Sequence, residues 1–590
     1  MKDLDRRRFL RAASALGGGV VASGLLPAWA QSATTGIARV LPSVSGADIA
    51  LTIGHAHWSI DGRGAHHAMA INGTLPGPVV RLTEGQTARI AVTNALDETT
   101  SIHWHGMLLP FQMDGVPGVT FPGIPPGQTF TYQFPVIQSG TYWYHSHSGL
   151  QEQEGVYGPL VIAPKGADPV AFDREHVVML SDFSFMHAHD IFNKLKQQSG
   201  YFNHRKQTLA SLLAHRDQAL NERIEWAKML MDPTDISDIT SAAYSFLING
   251  HGPQDNWTGL FTPGERVRLR FINAGAQTVF NVRIPGLKLT VVAADGQHVR
   301  PVEVDEFQIG NAETYDVIVQ PREDRAFTLV AEAADRSGMG RATLAPREGM
   351  SAPVPPLRPR PLGTMKDMGM DMSVLNMGGH NMAGMTASAP GMAPPRKRGS
   401  EVMAHSPGMQ MSMREPKNAP GVKLGPGVQS ITPIVTDRTG EPGQGLESVG
   451  HRVLVYHDLA ALEPNPDTRI PSRAMDIHLT GNMERFIWGF DGEKYSDATT
   501  RPYSFKAGER VRVTLVNDTM MAHPIHLHGH FFQLVQGAEP AHRPRKHTVT
   551  VLPGGKATWD FTATEGDWAF HCHMLYHMHA GMFRVFSVRT

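Results

Sequence analysis

Cysteine is almost absent: Cys572 is the only one in 590 residues. No intramolecular disulfide can form, and a lone thiol exported to an oxidising compartment is a liability unless something occupies it. Net charge is nearly absent too, with 54 basic side chains against 55 acidic ones dispersed along the chain. That balance excludes the basic stripe of a nucleic-acid binder and a protein drawn to an anionic membrane surface. Long apolar runs are also lacking. The run from Ala12 to Leu26 is too short to span a bilayer. It follows Arg6-Arg7 and precedes Ala28-Trp29-Ala30, so residues 1–30 read as a twin-arginine export signal cleaved before Gln31. The mature chain is expected in a bacterial periplasm, delivered folded by the twin-arginine machinery, monomeric and not membrane-spanning.

What the chain has in excess is metal-capable: 30 histidines and 29 methionines. Cys572 lies between His571 and His573 in the stretch W-A-F-H-C-H-M-L-Y-H-M-H-A-G-M-F, with His577 five residues on and Met582 ten. Neighbours in a strand point to opposite faces, so Cys572 faces one way and both flanking histidines the other. A thiolate, an imidazole and a distant thioether are the soft ligands of a blue-copper electron-transfer site once a second histidine joins them. His571 and His573 would hold different metal on the opposite face, one residue away through covalent bonds. Three further runs carry paired histidines: His103-Trp104-His105-Gly106, Tyr144-His145-Ser146-His147, and His523-Pro524-Ile525-His526-Leu527-His528-Gly529-His530. Histidines two apart in a strand share a face, so each pair can present two imidazoles to one cluster. His187, His189, His204 and His215 have no ligand spacing and read as surface residues.

Organisation follows composition. Residues 45–165 are β-like, short alternating runs broken by glycine and proline, and 175–345 form a second such unit. The second unit carries an insertion, 187–240, in which Thr208–Met231 has partly helical apolar spacing and predicts a helical excursion at the surface. Residues 346–430 are rich in proline, glycine and methionine and predict a flexible segment; the β pattern returns over 431–590. Twelve methionines fall between Met365 and Met413. Among them Met365, Met368, Met370, Met372, Met409, Met411 and Met413 stand in runs of thioethers that select Cu(I), against the plainer reading of a linker. The strand Glu84 to Asn94 repeats as Pro263 to Asn273 and as Ala507 to Asn517, and H-x-H-G follows the first and third copies only. Periods this long mean repeated domains, three related β-sandwiches of which the outer two keep metal ligands.

H-W-H-G, Y-H-S-H, H-P-I-H-L-H-G-H and H-C-H-x3-H-x4-M, in this order, resemble the four copper motifs of three-domain multicopper oxidases, over essentially the whole mature chain. With the twin-arginine signal and the methionine-rich segment, the chain is most similar to the periplasmic copper-resistance branch. The resemblance implies an all-β fold of three cupredoxin-like Greek-key sandwiches and four copper ions. It assigns the type 1 copper to His523, Cys572, His577 and Met582, and the type 2 copper to His103 and His526. It assigns the type 3 pair to His105, His145 and His573 on one ion and His147, His528 and His571 on the other. Cys572, His571 and His573 would form the electron path. Asp114, in M-D-G-V-P-G, matches a carboxylate that relays protons, and reads equally as a turn aspartate before Gly115. His579 departs from the pattern, which is often acidic there.

The function expected is oxidation of Cu(I), and of phenols as further substrates, coupled to reduction of O2 to water. The alternatives are a laccase of organic phenols and a copper-sequestering protein that works through its methionines, with extra Cu(I) in that segment.

Overall fold

A computed structural model describes residues 40–370, 414–496 and 500–590. The expected export signal lies outside the described residues, as do Met372, Met409, Met411 and Met413. Six sheets make three sandwiches, two sheets to each, in chain order. The repeat seen in the sequence is the centre of all three. Thr87–Asn94, Val267–Asn273 and Arg510–Asn517 each pair in parallel with a preceding strand (Asp48–Trp58, Arg174–Ser184 and Arg473–Asn482). Each also pairs antiparallel with a later one (Thr129–Pro135, Thr314–Val319 and Gly555–Thr562).

The asparagine that closes each repeat has a shared task. Asn94, Asn273 and Asn517 are fully buried, and each side-chain amide donates to two carbonyls. One of those carbonyls is remote: Ile124 at 2.7 Å, Ile309 at 3.0 Å and Val551 at 3.0 Å respectively. Each amide oxygen accepts from the backbone two residues on, at 2.9 Å in every case, which turns the chain out of the strand. The side chain therefore ends the strand and ties it to a distant loop in the same step.

Two expectations are corrected. The predicted stretch holds two surface helices, Leu209–Leu213 and Leu220–Lys228, but the insertion is not only a surface excursion. A helix over Ala188–Gln197, outside the predicted stretch, buries Ile191 and Leu195, and Trp226 is buried on Leu220–Lys228. Leu209, Leu213, Leu220 and Ile224, whose spacing predicted the helices, face solvent. The methionine-rich segment is not flexible at its edges. Arg358 pairs with the fully buried Glu306 and Glu332, Met368 is buried, and Met365 and Met370 pack on the core. After residue 414, Ala419, Val422, Val428 and Ile431 form a small core of their own. Average composition missed these anchors because they are single ion pairs and thioethers, with no periodic stripe.

The outer sandwiches position the metal-capable side chains. In the first, His103–His105 pairs antiparallel with Gly140–His145, and His103 lies opposite His145. In the third, His523–Leu527 pairs antiparallel with Gly566–Cys572, placing Ile525 opposite Cys572 and His526 opposite His571. Cross-strand partners share a face. One face of this strand pair thus carries His523 and Cys572, and the other carries His526 and His571.

Candidate metal centre

On the first face, Cys572 Sγ lies 3.6 Å from His523 Nδ1 and 3.9 Å from His577 Nδ1, and the two nitrogens are 3.2 Å apart. Tetrahedral metal bonds of about 2.0 Å to nitrogen and 2.3 Å to sulfur would separate such atoms by about 3.3 and 3.5 Å. All three residues are fully buried, as is Met582. The backbone closes the loop over them: Cys572 N–H donates to Met582 O and Met582 N–H to His577 O. The outer nitrogens are held by the protein. His523 Nε2 is 2.7 Å from Thr519 Oγ1, and His577 Nε2 donates to Asp238 Oδ2 at 2.7 Å. Trp488 stacks on His577 at 4.0 Å between ring centres. Burial pushes the Cys572 thiol far up, so a thiolate here requires a cation beside it.

On the second face, eight histidines from the first and third sandwiches meet. His103 stacks on His528, and His105 on His526, each at 3.8 Å. His571 Nε2 lies 2.9 Å from His528 Nε2 and 3.4 Å from His147 Nε2. His573 has its ring centre 5.0 Å from His105 and 5.1 Å from His145. Burial first, then neighbouring imidazoles, lowers the pKa of His105, His145, His147, His526, His528 and His573 well below the ordinary value. The rings are thereby kept neutral, the form that binds metal.

Five of the Nδ1 atoms around this cluster are satisfied from outside. His103 Nδ1 donates to Asp114 O at 2.7 Å, His528 Nδ1 to Asp114 Oδ2 at 2.8 Å, and His526 Nδ1 to His547 O at 2.7 Å. His145 Nδ1 is 2.8 Å from Glu152 Oε2, and His571 Nδ1 donates to Cys572 O at 3.0 Å. Asp114 is thus both a turn residue and a buried link between two histidines of different sandwiches. Gly115, at φ +84°, makes this possible: a Cβ there would lie 1.8 Å from Ile102 O.

The inward nitrogens are left over. Nε2 of His103, His145, His526 and His573, and both nitrogens of His105, are buried with no hydrogen-bond partner. An orphaned buried polar atom costs about 1–3 kcal/mol. So many converging on one space fit metal ions and little else, and the thiol–imidazole trio fits a further one.

Known proteins agree with that chemistry. Models described as multicopper oxidase match residues 52–167, 215–349 and 469–590. Copper resistance protein A of Escherichia coli is 48% identical over 98% of each chain. The chain belongs to the multicopper oxidase family. It is an oxidoreductase whose cofactor is copper. The copper resistance protein A homolog of Pseudomonas syringae pv. tomato is also 48% identical, over 92% of each chain. Fet3p, a multicopper oxidase that functions in iron import, shares the fold at a TM-score of 0.60 and 19% identity, covering 92% of this chain and 90% of its own.

Several residues of this multicopper oxidase site went unpredicted. Asp238 lies in the insertion, Glu152 five residues after His147, and His547 alone in K-H-T, grouped with His105 and His526. None has ligand spacing, and only tertiary contact reveals them. His187, His189, His204 and His215 are exposed and outside both clusters.

An open cavity of about 410 Å³ is lined among others by Met231, Met483, Met520, Lys206, Asp232 and Asp235; Met520 follows Thr519, which meets His523. Burial, with Asp232 and Asp238 adding their charges, pushes Asp235 up to about 6. Asp235 stands three residues before Asp238, the carboxylate that accepts from His577.

Proposed function

We propose that the chain is an exported cuprous oxidase of copper tolerance. Four Cu(I) substrate ions each give one electron, and O2 with four protons becomes two waters. The ligand sets proposed are His523, Cys572, His577 and Met582 for type 1; His103 and His526 for type 2; and His105, His145 and His573 with His147, His528 and His571 for type 3. Bound copper would supply one-electron exchange at the thiol and four-electron delivery to O2 at the eight histidines. Cys572 joins the two centres through its peptide bonds to His571 and His573. Asp114 and Glu152 hold imidazoles by their outer nitrogens and offer acceptors from which protons can move.

The observation that carries the substrate is the cavity lined by Met231, Met483 and Met520. Thioethers prefer Cu(I), the carboxylates of Asp232 and Asp235 offset its charge, and Asp238, three residues after Asp235, accepts from His577. The similarity to copper resistance proteins favours the same substrate over phenols. Export rests on Arg6-Arg7 and Ala28-Trp29-Ala30, and a periplasmic fraction beginning at Gln31 would verify it.

Oxygen uptake by the copper-loaded enzyme tests the reading. Cu(I) should disappear at four per O2, and Cys572→Ser should lose both the blue thiolate absorption and this activity. Turnover of phenols without Cu(I) would favour a laccase; Cu(I) uptake without O2 consumption would favour sequestration.

A further inference from the structure

The first sandwich carries a histidine cluster that neither centre uses. Along Asp48–Trp58, Ile49, Leu51 and Ile53 turn into the core. The same face continues beyond them as His55 and His57, both exposed. The paired strand His66–Ile71 places Ile71 opposite Ile53, Met69 opposite His55 and His67 opposite His57. His67 is exposed too, so three imidazoles share one open face at the end of a hairpin.

Two of them already face each other. His55 Nδ1 lies 2.9 Å from His67 Nε2, with ring centres 5.1 Å apart. The other nitrogen of His55 lies 3.3 Å from Asp97 Oδ1. Metal–nitrogen bonds of about 2.0 Å at right angles separate two nitrogens by about 2.8 Å, the adjacent positions of a tetragonal Cu(II) site. The buried centre shows the same 2.9 Å between His528 and His571. A carboxylate on the outer nitrogen of a ligating histidine fixes its tautomer and orientation.

We propose that His55, His57 and His67 form a surface site for a divalent first-row cation, Cu(II) before the others, with Asp97 as the carboxylate that positions His55. Imidazole suits Cu(II), which stands at the top of the divalent affinity order, whereas Cu(I) prefers the thioethers elsewhere in this chain. The site is independent of the oxidase reading, since it shares no residue with either buried centre.

Calorimetric titration of Cu(II) into the full-length, fully copper-loaded enzyme decides it. One equivalent should bind to the wild type and be lost in a His55→Ala/His67→Ala double variant. Blue absorption and oxygen uptake should stay as they were, which shows that the variant is folded. Asp97→Asn should weaken this equivalent by about 10–100-fold without removing it. Zn(II) in place of Cu(II) should bind more weakly. Equal Cu(II) stoichiometry and affinity in wild type and double variant, or tighter binding of Zn(II), would overturn the assignment.

Discussion

At the scale of single residues, the thiol centre is tuned by groups that sit behind its proposed ligands. Asp238 accepts from His577 Nε2 at 2.7 Å and from Gln277 Nε2 at 2.6 Å, deep in the protein. Its negative charge favours the oxidised, more highly charged copper. Asp238→Asn keeps an acceptor oxygen and removes the charge, so the type 1 potential should rise and Cu(I) oxidation should fall about 10–100-fold. A redox titration beside steady-state rates measures both. Met582→Leu should also raise the potential while the site stays blue, because losing a weak axial donor destabilises Cu(II) more than Cu(I). An unchanged potential would remove Met582 from the ligand set.

At the scale of elements, the methionine-rich stretch divides in two. Met365, Met368 and Met370 belong to the folded body: Met370 N–H donates to Met365 O, and Ile434 N–H to Gly369 O. Methionines from Met372 onward would be the thioethers open to the proposed Cu(I) capture. A tethered segment raises the local concentration of whatever it holds. Deleting residues 372–412 should therefore lower the rate on dilute Cu(I) and leave phenol oxidation equal or faster, with the melting temperature unchanged. A deletion that slows both substrates alike would make the segment a spacer. Cutting back to Met365 is a different experiment, because it removes buried packing.

At the scale of the whole molecule, the middle sandwich holds the other two in place. Arg270 pairs with Glu175 and Asp316 and donates to Thr141 of the first sandwich at 2.9 Å; Arg81 of that sandwich reaches Glu175 at 2.8 Å. Toward the third sandwich, the fully buried Lys546 lies 3.1 Å from both Asp295 and Glu313. Gly140 and Gly296 let the first and middle units touch, since a Cβ on Gly140 would sit 2.2 Å from Gly296 O. Burial would raise the Asp316 carboxyl, yet Arg268 and Arg270 bring it below its ordinary value. A carboxyl depressed on folding contributes its full stability above the unfolded pKa of about 3.9, and that contribution fades as pH falls below this value. Thermal melts should therefore decline steeply below about pH 4. Asp316→Asn removes the carboxylate shared by two buried guanidinium groups but leaves Arg268 with Asp168 and Arg270 with Glu175, so it should cost about 1–3 kcal/mol at neutral pH, with a shallower acid decline than the wild type.

The sequence alone was enough for the fold class and for which histidines and cysteine gather into the two clusters. Both depend on local chemistry that a linear pattern carries. H-x-H places two imidazoles on one face, the alternation about Cys572 splits two centres, and a strand repeated three times implies three sandwiches. What only the tertiary structure decided lies between units. Asp238 reaches His577 across 339 positions and Asp114 reaches His528 across 414. Loop aspartates carry no periodicity, so nothing in D-P-T-D-I-S-D-I-T marks the third one. The same holds for Glu152 and His547, and for His55, His57 and His67, whose meeting is a matter of strand register. Ligand types are written in short runs of sequence. The groups that orient ligands come from whichever chain segment packs nearest, and packing is a property of the assembled fold.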